Sequence, residues 1–172
     1  MINDLDFPQG RKLLRYALPA ARRIASLKKR ANRADVPVIY VNDNFGRWRS
    51  DFRQQVAHCR RDGCLGRELA LRLAPGEEDF FVLKPKHSGF YSTTLDILLK
   101  SLGDVNLVLA GFATDICVLY TANDAYMRGY QIVIVSDGVA AEHANWNRNA
   151  LAQMRRHLGA DVRAARSIRF GK

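Results

Sequence analysis

Residues 107–141 read LVLAGFATDICVLYTANDAYMRGYQIVIVSDGVAA. Two apolar runs, at 105–110 (VNLVLA) and 131–135 (QIVIV), enclose a stretch over 117–128 with helical apolar spacing. Short runs of Val, Ile and Leu without polar alternation are what strands buried on both faces require. A strand, helix, strand unit of this size joins parallel strands by a right-handed crossover. Working outward, residues 37–42 (PVIYVN) and 79–83 (DFFVL) repeat the strand pattern, and a fifth strand is expected at 160–164. Helices are predicted over 19–34, where Ala20, Ile24, Leu27 and Ala31 share a face, and over 93–102 and 145–158.

The alternation predicts an α/β fold: a three-layer, doubly wound, Rossmann-like and mostly parallel sheet with helices on both faces. Ligands are expected at the carboxyl ends of the strands. The 172 residues suit a single domain, residues 1–172, able to bury about 70% of its unfolded surface. The opening residues, MINDLDFP, form an acidic, loop-like segment, so no strand precedes the first helix. Residues 46–78 are polar and Arg-rich, with breaks at Gly63, Gly66 and Gly76; they predict a loop with a short helix at 68–73, a candidate lid.

Hydrophobic residues at 48% and charged residues at 26% are ordinary for a globular protein, and no apolar run approaches the roughly 18 residues of a membrane helix. No membrane partner is therefore expected. Three cysteines do not make a disulfide framework, and the charges among the first twenty residues do not suit a signal peptide, which together predict a cytoplasmic protein. The formal charge is +10, and the cations Arg11, Lys12, Arg15, Arg22, Arg23, Lys28, Lys29, Arg30 and Arg33 crowd a first helical region without acids. Arg22, Lys29 and Arg33 lie opposite the apolar face, as on a solvated helix. With no aromatic stacking set or nucleic-acid motif, weak salt-sensitive association is expected rather than specific nucleic-acid binding.

Chemistry is expected at Gly111-Phe112-Ala113-Thr114-Asp115-Ile116-Cys117, which leads from a buried strand into a helix. A thiol in that first turn feels the helix dipole, and nearby free amides can hold an oxyanion. The alternative is a small apolar cysteine packed under the sheet. Lys84 directly follows the strand 79–83. Should the two strands be neighbours, its ammonium can stabilise a thiolate at Cys117; otherwise it is a solvated lysine at a strand end. His58, Cys59 and Cys64 make half a zinc site without a matching second pair, and helix packing is expected there instead. His87 lies in a loop beside lysines and is expected to be solvated.

The combined pattern VLKPKHSGFYSTTL (82–95) and LVLAGFATDICVLYTANDAYMRGYQIVIVSDGVAA resembles the isochorismatase-like cysteine hydrolase family over nearly the whole chain. The resemblance rests on a lysine before a Ser-x-Phe segment and a cysteine after a Gly-x-x-Thr turn. It implies a catalytic Asp, Lys and Cys, of which Lys84 and Cys117 carry over. It also implies a cis peptide between Phe112 and Ala113 that turns the amides of Ala113 and Cys117 toward an oxyanion. The family's Asp ends an apolar strand and would fall just before Met1, so the N-terminal strand is expected to be missing. Asp4 and Asp6 do not match that position.

Family members that open the vinyl ether of isochorismate often lack the cysteine, so Cys117 implies hydrolysis of a small amide, ureido or related C–N substrate through a thioester-type intermediate. A non-catalytic homologue lacking the acid, or an isochorismatase-type vinyl ether hydrolase, is the alternative. Some metal-dependent relatives carry an Asp-x-His pair after the second strand; here residues 42–49 (NDNFGRWR) hold no histidine. No metal and no cofactor are expected, and Asn42, Asp43 and Asn44 are read as turn or pocket-wall residues. The resemblance further implies a small-molecule substrate and a homo-oligomer.

Overall fold

A computed structural model describes residues 1–44, 51–103 and 106–171. Five strands and six helices alternate along the described chain: α1 (Gly10–Arg33), β1 (Ile39–Asp43), α2 (Phe52–Cys59), α3 (Arg67–Arg72), β2 (Phe80–Lys84), α4 (Leu95–Leu102), β3 (Asn106–Phe112), α5 (Leu119–Met127), β4 (Gln131–Ala140), α6 (Ala144–Leu158) and β5 (Asp161–Arg163). The fold is α/β, with every described strand pair parallel and helices packed around.

Side chains on successive strand residues leave opposite faces, and the core divides accordingly. Tyr40 of β1 packs with Leu13, Ala17 and Ile24 of α1 and Phe52 and Val56 of α2. Its neighbours Ile39 and Val41 pack instead against the cluster that holds Leu99 of α4, Ala122 of α5 and Met154 of α6. Ile132 and Ile134 of β4 join this second cluster, while Val133 and Val135 turn the other way toward Leu27 and Ile168. Runs apolar at every position are thus the signature of strands covered on both faces.

The expected single sheet is divided in two. Among the described residues β1 pairs only with β2, and β3, β4 and β5 form a separate sheet in that order. A cavity of about 230 Å³ lies between them, lined by Ile39 and Val41 of β1 and by Leu107, Val108 and Leu109 of β3. No described segment lies between those two strands to pair with them.

Three element boundaries differ from expectation. α1 starts at Gly10, not at residue 19, because its buried stripe runs from Leu13 and Ala17 across Pro19 to Ala31. Residues 51–78 are no open loop or lid: Asp51 caps α2 by accepting from Arg53 N at 2.6 Å, and Phe52, Val56, Cys59, Leu69 and Leu73 enter the core. Residues 45–50, where the candidate lid would begin, and Val105 of the expected third strand lie outside the described residues. β4 continues to Ala140, and its pairing with β3 shifts register between Leu109 and Gly111. Gly111, at φ +128°, takes a conformation that side-chain-bearing residues rarely adopt.

Candidate active site

β1 and β2 end together, so the parallel register places Asp43 directly opposite Lys84. Both are the first ionisable groups after an apolar run, at the carboxyl ends where ligands bind in parallel sheets. Lys84 is 3% exposed, and burying an ammonium is costly unless it is paired and hydrogen-bonded. Here Nζ donates to Asp43 Oδ1 and, at 3.0 Å, to the Lys86 carbonyl. It also lies 3.5 Å from Cys117 Sγ. The Asp43 side chain is 36% exposed, so the ion pair is sealed on the lysine side and open on the other.

Cys117 sits in a single π-helical turn, Thr114–Val118, between β3 and α5. Such turns insert one extra residue and recur at functional positions. The turn is fixed from several directions. Ile116 N and Val118 N donate to the Ala113 carbonyl at 3.4 and 3.1 Å. The buried Thr114 hydroxyl donates to Asn147 Oδ1 of α6 at 2.6 Å. Thr121 Oγ1 donates to the Cys117 carbonyl at 2.7 Å and accepts from Gly89 N at 2.9 Å. Thr121 therefore ties the loop that follows Lys84 to the turn that carries Cys117. The Phe112–Ala113 peptide bond is cis.

A cavity of about 110 Å³ opens on this group, lined by Lys84, Cys117, Gly111, Phe112, Thr121 and Met1. Met1, one of its lining residues, is held together with Ile2 by Asn42. The Asn42 Oδ1 accepts from the Met1 amine at 2.6 Å and from Ile2 N at 2.8 Å, and its Nδ2 donates to the Ile2 carbonyl at 2.7 Å. Burial pushes the Met1 amine down to about 6.

The expected proximity of Lys84 and Cys117 is present, and Asp43 joins them. Assigning Asp43 to a turn is corrected by its contact with Lys84. The clue available in the sequence was that Asp43 and Lys84 are each the first charged residue after a short, mostly apolar run. Asp4 lies elsewhere: its Oδ2 is 3.3 Å from His58 Nε2, and its Oδ1 accepts from Asp6 N. Cys59 is buried in the core, where burial and the neighbouring Cys64 push its thiol up to about 12. The His87 ring lies 5.4 Å from that of Tyr120. Among the described residues, no three or more His, Cys, Asp or Glu side chains converge as a metal site would need.

The family model described as "Isochorismatase domain" matches residues 6–167. The chain belongs to the isochorismatase family. It is 37% identical over 168 residues to the uncharacterized isochorismatase family protein YaaI of Bacillus subtilis (strain 168), covering 98% of this chain and 92% of that one. Over 98 residues, 55% of this isochorismatase-family chain and 38% of its relative, it is 37% identical to the ureidoacrylate amidohydrolase RutB of Methylobacterium radiotolerans. The solved N-carbamoylsarcosine amidase from Thermoplasma acidophilum superposes with a TM-score of 0.70 at 32% identity, covering 89% of this chain and 86% of that one. These likenesses place the protein among isochorismatase-family hydrolases.

Proposed function

We propose that this isochorismatase-family hydrolase cleaves a small amide or ureido substrate, with Cys117 as nucleophile. The observation that carries this is the Lys84 ammonium 3.5 Å from Cys117 Sγ and hydrogen-bonded to Asp43 at the strand ends. The relatives named for ureidoacrylate and N-carbamoylsarcosine support the substrate class.

In this mechanism Lys84 stabilises the Cys117 thiolate electrostatically, and Asp43 fixes the ammonium in place. The thiolate attacks the carbonyl carbon, forming a C–S bond and an oxyanion held by the amides of Ala113 and Cys117. The tetrahedral species collapses with cleavage of the C–N bond, and the departing nitrogen takes a proton from Lys84. Water then attacks the thioester, returning a proton to Lys84, releasing the acid and restoring the thiolate. The net reaction consumes one water and needs no redox partner.

The test is release of ammonia or amine from a panel of N-carbamoyl amino acids, ureidoacrylate and simple carboxamides. At least one should turn over, and Cys117→Ala should slow it by about a thousandfold or more. Full turnover by the Cys117→Ala protein would discard the mechanism.

A further inference from the structure

We infer that Thr121 is a positioning residue for the thiolate: its hydroxyl clasps the loop after Lys84 to the turn of Cys117 and so sets the separation of ammonium and sulfur. The role rests on the reading of Cys117 as nucleophile and Lys84 as its cation. Neither hydrogen bond of the hydroxyl touches a reacting atom, so Thr121 acts through those two residues.

Cys117 and Thr121 are four residues apart in a continuous helical stretch, and side chains so spaced share one face of a helix. A hydroxyl has one proton to give and lone pairs with which to accept. The proton goes to the Cys117 carbonyl at 2.7 Å, and a lone pair accepts from Gly89 N at 2.9 Å. Helical threonines often spend their hydroxyl on the carbonyl four residues back. The second bond is not local to the helix, because it reaches the segment 85–94 that joins β2 to α4.

These contacts close a circuit. Lys84 Nζ lies 3.5 Å from Cys117 Sγ. The path continues through the Cys117 carbonyl, the Thr121 hydroxyl and Gly89 N, then back along the loop to the Lys86 carbonyl, which accepts from Lys84 Nζ at 3.0 Å. The loop has bonds of its own: Thr93 Oγ1 donates to the Gly89 carbonyl at 2.5 Å, and Phe90 N donates to Ser88 Oγ at 3.1 Å. Those bonds lie within the loop and fix its shape, not its distance from Cys117. Gly89 is seated closely, since a Cβ there would meet Val41 Cγ1 at 3.0 Å and Thr121 Cγ2 at 3.4 Å. Attraction between charges falls with their separation. Releasing the loop therefore weakens the hold of Lys84 on the thiolate, although Asp43, Lys84 and Cys117 are all still present.

The test is the pH profile of Cys117 alkylation by iodoacetamide, followed by peptide mass spectrometry so that Cys59 and Cys64 are read separately. Thr121→Val keeps the shape of threonine without its hydroxyl and should slow Cys117 alkylation about fivefold or more at pH 7. The difference should close near about pH 10, where an ordinary thiol ionises without help. A variant that merely loosened the fold would instead react faster at every pH, and that result would overturn the clasp. Thr121→Ser returns the hydroxyl and should return the wild-type profile. Asn123→Ala removes the bond from Asn123 Nδ2 to the Leu119 carbonyl at 2.7 Å, which belongs to the same helix but does not reach the loop, and should leave the profile unchanged. Circular dichroism checks each fold, and Thr121→Ala, with a smaller side chain, takes the place of a valine variant that does not fold. An unchanged profile without the hydroxyl, no recovery with serine, or an equal change in Asn123→Ala would overturn the clasp. When Lys84→Met slows alkylation and Thr121→Val does not, the clasp fails alone; when Lys84→Met alkylates as wild type does, the thiolate reading fails and the clasp with it.

Discussion

At the scale of single residues, the three cysteines share one thiol chemistry and meet three different surroundings. Cys59 is pushed up to about 12 by burial and by Cys64, so iodoacetamide should leave it unmodified at pH 7 to 8 while Cys117 reacts. Lys84→Met should slow Cys117 alkylation about tenfold or more, since the thiolate loses its neighbouring cation; an unchanged rate would mean the ammonium is idle. Asp43→Asn keeps the shape of the side chain but removes a charge-assisted hydrogen bond, worth about 1.5–3 kcal/mol. Turnover of whichever amide is found should fall about tenfold to a hundredfold, with the fold retained by circular dichroism. Lys84 and Cys117 were legible as candidates because each stands at a strand end in a distinctive local pattern. The partnership of Asp43 was not, because it depends on the register between β1 and β2, and register is a property of pairs that no single run of residues encodes.

Among the elements, α1 and the strands beneath it are joined by a cluster that composition does not reveal. Lys28 Nζ donates to Asp79 Oδ2, to Tyr40 Oη at 3.0 Å and to the Ala74 carbonyl at 3.0 Å. The Asp79 side chain is only 4% exposed. Lys28→Met leaves that carboxylate without its cation, though still accepting from Gly76 N at 2.5 Å, and should cost about 3 kcal/mol, measured by urea unfolding. Burial alone would lower the Lys28 pKa, but its bonds to Asp79 and Tyr40 outweigh this and raise it above 10.5. A lysine whose folded pKa is raised stabilises fully below pH 10.5 and loses that contribution as pH climbs through the folded value. The advantage of wild type over Lys28→Met should therefore hold through neutral pH and shrink only in strong alkali. In α2, Asp51→Ala removes the cap on Arg53 N and should cost about 1 kcal/mol. The strands and the later helices could be read from apolar runs, whereas α2 could not. Its Phe52, Val56 and Cys59 are three buried positions in eight residues otherwise rich in polar groups, too short a stripe to stand out. Pro19 misplaced the start of α1 because a proline ordinarily marks a first turn.

For the whole molecule, the formal charge of +10 loads α1 with cations that repel one another through solvent. Raising NaCl from about 20 to 300 mM shortens the screening length from roughly 20 to 6 Å and should raise the melting temperature by about 2 °C or more; a fall would mean that ion pairs dominate instead. The α/β class and parallel connections were legible because periodicity reports how strands are covered. The division into two sheets was not, since covering says nothing of which edge meets which. One bridge across this architecture runs through Asn42, whose amide group grips the peptide units on both sides of Ile2 as a neighbouring strand would. Its consequence should be visible in deuterium uptake. The amide proton of Ile2, in a segment without helix or strand and fully buried, should exchange as slowly as those in the middle of β4, and Asn42→Ala should release it to the rate of an open chain.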